Sequence, residues 1–78
     1  MILPDILEEI WDNAFRNCRR LREIRIPRNV TYIDSETFTG CMGIRRIYLE
    51  TDKIPGNGWV PDEIREKVSI VRMKDRSL

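Results

Sequence analysis

The chain repeats itself with a 23-residue period, and this period restricts its folding more than any other feature. Nearly every residue type that the two copies share is apolar. The matching pairs are Leu3 and Ile26, Leu7 and Val30, Ile10 and Ile33, Phe15 and Phe38, Cys18 and Cys41, Leu21 and Ile44, and Ile24 and Ile47. A period of about 20 to 50 residues is typical of solenoids, whose units bury their apolar edges only against their neighbours. The period therefore predicts stacked coils.

The strands of these coils are indicated by alternation. Residues 24–27 alternate apolar and charged side chains and then reach a proline, which predicts a short strand with one buried face. Residues 44–49 repeat the pattern, and residues 1–4 preserve the end of an earlier copy. We expect these three segments to lie side by side as a short parallel sheet.

The rest of each coil is predicted to be extended segments and turns. A second apolar pair follows each proline, as Val30 and Ile33 show, and predicts a short extended or turn segment. Residues 12–18 and 35–41 then favour compact helical turns, because a capping residue precedes a Phe and a Cys that lie three apart. Asn17 and Gly40 suit the left-handed conformation that ends such a turn.

The period weakens after Leu49, because Glu50 and Gly56 occupy the positions of the proline and the second isoleucine. Residues 61–67 begin with a proline and acids and end with bases, as a short helix does, and residues 68–73 alternate as a last strand. We expect Trp59 and this helix to cover the last coil. The predicted single domain 1–78 comprises repeat one at 3–25, repeat two at 26–48, and a degenerate third coil with a C-terminal cap at 49–78.

The two units resemble the BspA-like leucine-rich repeats over residues 3–49. Their pattern is carried here by Pro27, Val30, Thr31, Ile33, Phe38, Cys41, Ile44 and Ile47, and by the equivalent residues of the first unit. Together with the period, the resemblance implies an α/β fold, a short right-handed leucine-rich repeat solenoid with a small parallel sheet, short helical turns and a C-terminal helix-strand cap. It also implies an interaction role. The family usually has glycine where this chain has Trp11 and Asp34, so we expect Trp11 to project from its turn.

Composition argues against several function classes. Fourteen basic and 13 acidic residues give a net charge of +1, which disfavours binding to nucleic acid or membrane through net charge alone. The absence of histidine removes the commonest general base and metal ligand, so we expect no enzyme activity, no cofactor and no metal. Cys18 and Cys41 occupy equivalent repeat positions and are expected to be packed free thiols. With no signal-peptide pattern or membrane span, we expect a cytoplasmic protein.

The arginines are the main candidates for a binding surface. Arg25 is expected to point outward beside Tyr48, with Glu23 and Arg46 in the neighbouring column, and exposed Arg and Tyr are typical of protein interfaces. The alternative is a solvated, ion-paired rim. Trp11 is either an anchor for a partner or packing over the first coil. The candidate partner-binding residues are Arg22, Arg25, Arg45, Arg46, Tyr48 and Trp11.

The first coil has no capping element of its own, because Met1, Ile2 and Leu3 form only an incomplete strand. Such an open edge predicts self-association into a homo-oligomer, or a partner that covers it.

Three functions remain open. The first is a non-catalytic protein-protein interaction module whose arginine-rich face binds an acidic protein surface. The second is a small viral or mobile-element inhibitor that uses the same face to block a host protein. The third is a nucleic-acid-binding accessory protein, which the small net charge disfavours.

Overall fold

The structure is a computed structural model that describes residues 3–11 and 14–73. Its elements are β1 (Glu9–Ile10), β2 (Glu23–Ile26), β3 (Tyr32–Ile33), β4 (Arg46–Leu49), α1 (Asp62–Arg65) and β5 (Ser69–Arg72). β1 pairs with β3, and β2, β4 and β5 lie in that order in a second sheet. Every pairing is parallel. The described residues therefore form a small, strand-rich structure with little helix.

The repeat period sets the register of the larger sheet. Ile24 lies beside Ile47, and Ile47 lies beside Ile70, so each step across the sheet is one period along the chain. Ile24 and Ile47 are buried, whereas residues 23, 25 and 46 face solvent. The strands predicted around residues 24–27 and 44–49 are confirmed, as is their parallel pairing.

The third strand of this sheet differs from the prediction. The sequence predicts that residues 1–4 supply it, but Met1 and Ile2 lie outside the described residues, and Leu3 is not in a strand. β5, which the sequence assigns to a separate cap, lies beside β4 instead. The physical reason is that Ile70 keeps the inward position of Ile47 even though the proline and the second isoleucine of the third unit are missing.

The smaller sheet lies where the sequence predicts an extended or turn segment. Ile10 and Ile33 are paired and buried, while Glu9 and Tyr32 are paired and exposed. The buried Thr37 hydroxyl donates to the carbonyl oxygens of Ile10 at 3.3 Å and Trp11 at 3.1 Å. This side chain therefore connects the first unit to the second.

The segments predicted as helical turns are hydrogen-bonded turns and not helix in the described residues 14–18 and 35–41. Left-handed residues interrupt them, since Asn17 has a φ of 63° and Gly40 has a φ of 81°. The predicted left-handed conformation of both residues is confirmed. The turns also bond to each other, because Asn17 N donates to Thr39 O at 2.8 Å. A backbone N–H that donates to the neighbouring unit is not available for a hydrogen bond within a helix.

The core is a stack of aromatic and aliphatic side chains to which the C-terminal segment contributes. The rings of Phe15 and Phe38 are stacked with centroids 5.6 Å apart, and Trp59 lies 5.9 Å from Phe38 on the other side. Ile64, in α1, is fully buried at the position equivalent to Cys18 and Cys41. Trp59 and Ile64 thus pack against the core of the preceding units, and a C-terminal cap stays a prediction.

Candidate functional site

A cleft of about 560 Å³ lies beside β2, which is an edge strand of the larger sheet. Its walls come from the first turn of the chain, from β2 and β4, and from the turns that follow these strands. The lining residues are Leu3, Asp5, Glu23, Ile24, Arg25, Pro27, Arg28, Tyr48 and Glu50. Arg25 and Tyr48 are neighbours across β2 and β4, as the sequence predicts.

The two central arginines of this surface are ion-paired. Arg25 Nη1 lies 3.2 Å from Glu50 Oε2, and Arg46 Nη1 donates to Glu23 Oε2 at 2.7 Å. The hydrogen bond to Glu23 is the main cause of the raised pKa of Arg46. The Glu23–Arg46 neighbours expected from the period are therefore confirmed, and the charge at the centre of the face is compensated within the chain.

Positive charge without an acidic partner lies at the edge of this face. We call Arg19, Arg20, Arg22 and Arg45 the basic rim; all four are exposed, and none makes an ion pair with another residue of the described ranges. Arg22 and Arg45 immediately precede β2 and β4, and the Arg22 carbonyl accepts from Arg45 N at 2.8 Å. The parallel pairing of β2 and β4 thus brings Arg22 and Arg45, two of the predicted arginines, together.

A glycine keeps the basic rim close to the following unit. A Cβ atom at Gly43 would overlap the carbonyl oxygen of Arg19, so only glycine allows the two turns to pack at this separation. Position 43 follows Arg20 by one period. The close approach of the two turns therefore follows from the packing of one unit on the next.

Trp11 belongs to a different surface. It projects from its turn, as predicted, and is 55% exposed, but its ring packs against Tyr32 with centroids 4.7 Å apart and planes inclined by 47°. Trp11 Nε1 donates to Glu9 Oε1 at 2.9 Å, and Tyr32 Oη donates to Asp34 Oδ2 at 3.0 Å. Sequence reasoning missed Tyr32, Glu9 and Asp34. The period could have found them, because it places Glu9 beside Tyr32 and Trp11 beside Asp34.

The cysteines are packed free thiols. Cys41 is fully buried, and its Sγ donates to the Phe15 carbonyl oxygen at 2.9 Å, whereas Cys18 is half-buried. Burial raises the pKa of the Cys41 thiol, which makes it a poor nucleophile. Among the described residues, no group of three or more Cys, Asp or Glu side chains could hold a metal ion.

The predicted self-association edge is described only at Leu3. This residue is partly buried, packs against the core and lines the cleft. Met1 and Ile2 lie outside the described residues.

Parallel strands that recur once per period in constant register define a repeat protein whose neighbouring units pack side by side. The family model described as BspA type leucine-rich repeat region (6 copies) matches residues 1–57. The chain therefore belongs to the BspA-type leucine-rich repeat family, and this membership indicates a protein-interaction module. No curated protein and no solved structure gives a significant match. No helix in the described part of the chain is both long and apolar enough to cross a membrane.

Proposed function

We propose that this chain is a non-catalytic protein-interaction module that binds a partner protein through the outward face of β2 and β4 and the adjoining basic rim. In this proposal the units form a short right-handed solenoid, and the face is one side of it. The observation that supports the proposal best is the cleft beside β2, whose walls include the exposed Arg25 and the half-buried Tyr48. Arg and Tyr are residues that protein interfaces are enriched in.

The charges of the basic rim favour an acidic partner, although the cleft itself is lined by Asp5, Glu23 and Glu50 as well as by Arg25 and Arg28. Arg22 and Arg45 make no ion pair among the described residues and can bind carboxylates directly. Arg25 and Arg46 would have to exchange Glu50 and Glu23 for carboxylates of the partner. The Arg46–Glu23 pair is exposed on both sides, so breaking it costs the fold little, whereas Glu50 is only 24% exposed and loses more when Arg25 leaves it.

Affinity capture with matched charge variants tests the proposal. The proteins that the purified, immobilised chain captures at neutral pH and low salt are compared with those that two variants capture. One variant is Arg22→Glu with Arg45→Glu, and the other is Lys53→Glu with Lys67→Glu. Both pairs remove two exposed positive charges and add two negative ones, but the lysines neither line the cleft nor belong to the basic rim, and they donate to the backbone carbonyls of Arg28 and Met42. We expect a set of proteins that the natural chain and the lysine variant retain and the arginine variant loses.

Retention of every captured protein by the arginine variant would contradict the proposal. Binding to an oligonucleotide that weakens steeply with salt would favour the nucleic-acid alternative instead. The inhibitor role, the cytoplasmic location and an oligomer formed through Met1, Ile2 and Leu3 stay predictions, and light scattering at several concentrations tests the last of these.

A further inference from the structure

An aromatic pair with two flanking carboxylates lies on the smaller sheet, outside the surface proposed above. We call Glu9, Trp11, Tyr32 and Asp34 the aromatic-acid site. Glu9 and Trp11 come from the first unit, Tyr32 and Asp34 come from the second, and β1 and β3 align the two pairs. The site is therefore built by the stacking of two units.

Hydrogen bonds fix the polar edges of both rings. Trp11 Nε1 donates to Glu9, and Tyr32 Oη donates to Asp34. Asp34 is held in turn, because its Oδ1 accepts from Glu36 N at 2.9 Å. The backbone of Trp11 is held by the buried Thr37 hydroxyl. The four side chains are thus ordered before any ligand arrives, which reduces the entropy lost on binding.

The exposed surface that this arrangement leaves is aromatic and negative. Trp11 is 55% exposed and Tyr32 is 38% exposed, although both are large and partly apolar. Neither Glu9 nor Asp34 makes an ion pair with any described residue. Glu8, the residue before Glu9, adds a further acid, and residues 3–11 hold no base. Negative charge beside exposed ring faces favours a cation, because cations are attracted both to carboxylates and to aromatic faces.

We propose that the aromatic-acid site binds an arginine side chain presented by a basic segment of another protein. A guanidinium group is planar, stacks on Trp and Tyr rings and donates to carboxylates at its edge, so it can use both features of the site together. The site would therefore recognise a partner whose charge is opposite to that of the partner proposed for the β2–β4 face. One chain could then join two proteins.

Nuclear magnetic resonance tests this proposal with the full chain. An amidated peptide of alternating arginine and glycine is added, and the indole N–H signals of the two tryptophans are followed. We expect the Trp11 signal to shift and saturate. The Trp59 signal should not move, because Trp59 is buried and its Nε1 donates to Gly56 O. A peptide with citrulline in place of arginine keeps the shape without the charge and should bind at least about fivefold more weakly.

Variants of the site provide the controls. Trp11→Leu should weaken binding of the arginine peptide by about two- to fivefold, followed through the backbone amides of residues 9 and 32–34. Glu9→Gln with Asp34→Asn removes both charges and keeps one acceptor oxygen on each side chain, for Trp11 Nε1 and for Glu36 N, and should weaken binding by about fivefold. Asp52→Asn with Glu66→Gln makes the same charge change at exposed positions elsewhere and should leave binding unchanged.

Three results would overturn the proposal. The first is equal binding of the citrulline peptide, and the second is equal weakening by the site pair and the control pair. The third is a Trp11 signal that shifts on dilution without any peptide, because a second copy of the chain would then occupy the site. Thermal unfolding of each variant shows whether it is folded, and the citrulline comparison needs no variant.

Discussion

Replacing Gly40 by alanine should be among the most damaging single-methyl additions to this chain. Gly40 has a φ of 81°, which costs an alanine about 1–2 kcal/mol. The new methyl group would also overlap the Oδ1 atom of Asn17 and lie 3.2 Å from its Cα. Overpacking of this kind costs about 1–3 kcal/mol. We expect Gly40→Ala to lower the free energy of unfolding by about 2–5 kcal/mol, measured by urea denaturation.

Two further glycines separate the two causes. Gly56 has a φ of 68°, but a methyl group added there would meet nothing within 4 Å, so Gly56→Ala should lose only the conformational part. Gly58 has neither constraint, and Gly58→Ala should change stability by less than about 0.5 kcal/mol. The expected order of destabilisation is therefore Gly40, then Gly56, then Gly58.

A second substitution tests whether Asn17 is the neighbour responsible. Asn17→Gly removes the overlapping side chain and suits the φ of 63° at that position. Combined with Gly40→Ala, it should restore at least about 1 kcal/mol relative to the sum of the two single changes. Purely additive effects would show that Asn17 Oδ1 moves aside, and a Gly40→Ala protein within about 0.5 kcal/mol of the natural chain would contradict both the φ of 81° and the approach of Asn17 Cα to 3.2 Å.

Three other results are expected from the buried positions. Burial raises the pKa of the Cys41 thiol, so the contribution of this thiol to stability is complete below the unfolded-state pKa of 9.0 and is lost as pH rises through the raised folded pKa. The difference in the free energy of unfolding between the natural chain and Cys41→Ala should therefore shrink over that alkaline range. A constant difference would contradict the shift. A thiol reagent should modify the half-buried Cys18 in the native protein while Cys41 reacts only on unfolding, and equal rates would show that Cys41 is accessible. Ile64→Ala should lower the free energy of unfolding by about 2–4 kcal/mol in urea, because the side chain is fully buried in the covering segment; a loss below about 1 kcal/mol would mean that α1 does not cover the core.

The sequence predicts those features that depend on the period. Equivalent positions such as Ile24 and Ile47, or Asn17 and Gly40, have the same role because each unit meets its neighbour with the same backbone geometry. The position of β5 is harder to predict because the third unit keeps only some anchors. Ile70 continues the series, but Trp59 packs on Phe38 although Pro61 is the residue one period beyond that phenylalanine.

The candidate sites are harder to predict because their contacts leave the period. Arg25 pairs with Glu50 although Tyr48 lies one period further along the chain, and Trp11 packs on Tyr32 although Asp34 is its equivalent. An alignment of equivalent residues brings these residues to one surface, but long side chains reach diagonal neighbours in a sheet, so the alignment does not say which two are in contact. The exposure of the arginines follows from the pattern, but their pairing with glutamates depends on side-chain geometry.

The position of Val71 beside Tyr48 tests the central claim most directly, which is that the larger sheet continues the repeat period through the third unit. Neighbouring parallel strands lie about 4.8 Å apart, which is close enough for nuclear Overhauser effects between side chains on one face. The structure predicts such effects from the Tyr48 ring to the side chains of both Arg25 and Val71. Contacts from Tyr48 to Arg25 without contacts to Val71, or a shifted partner for Val71, would contradict the extension of the period through the third unit.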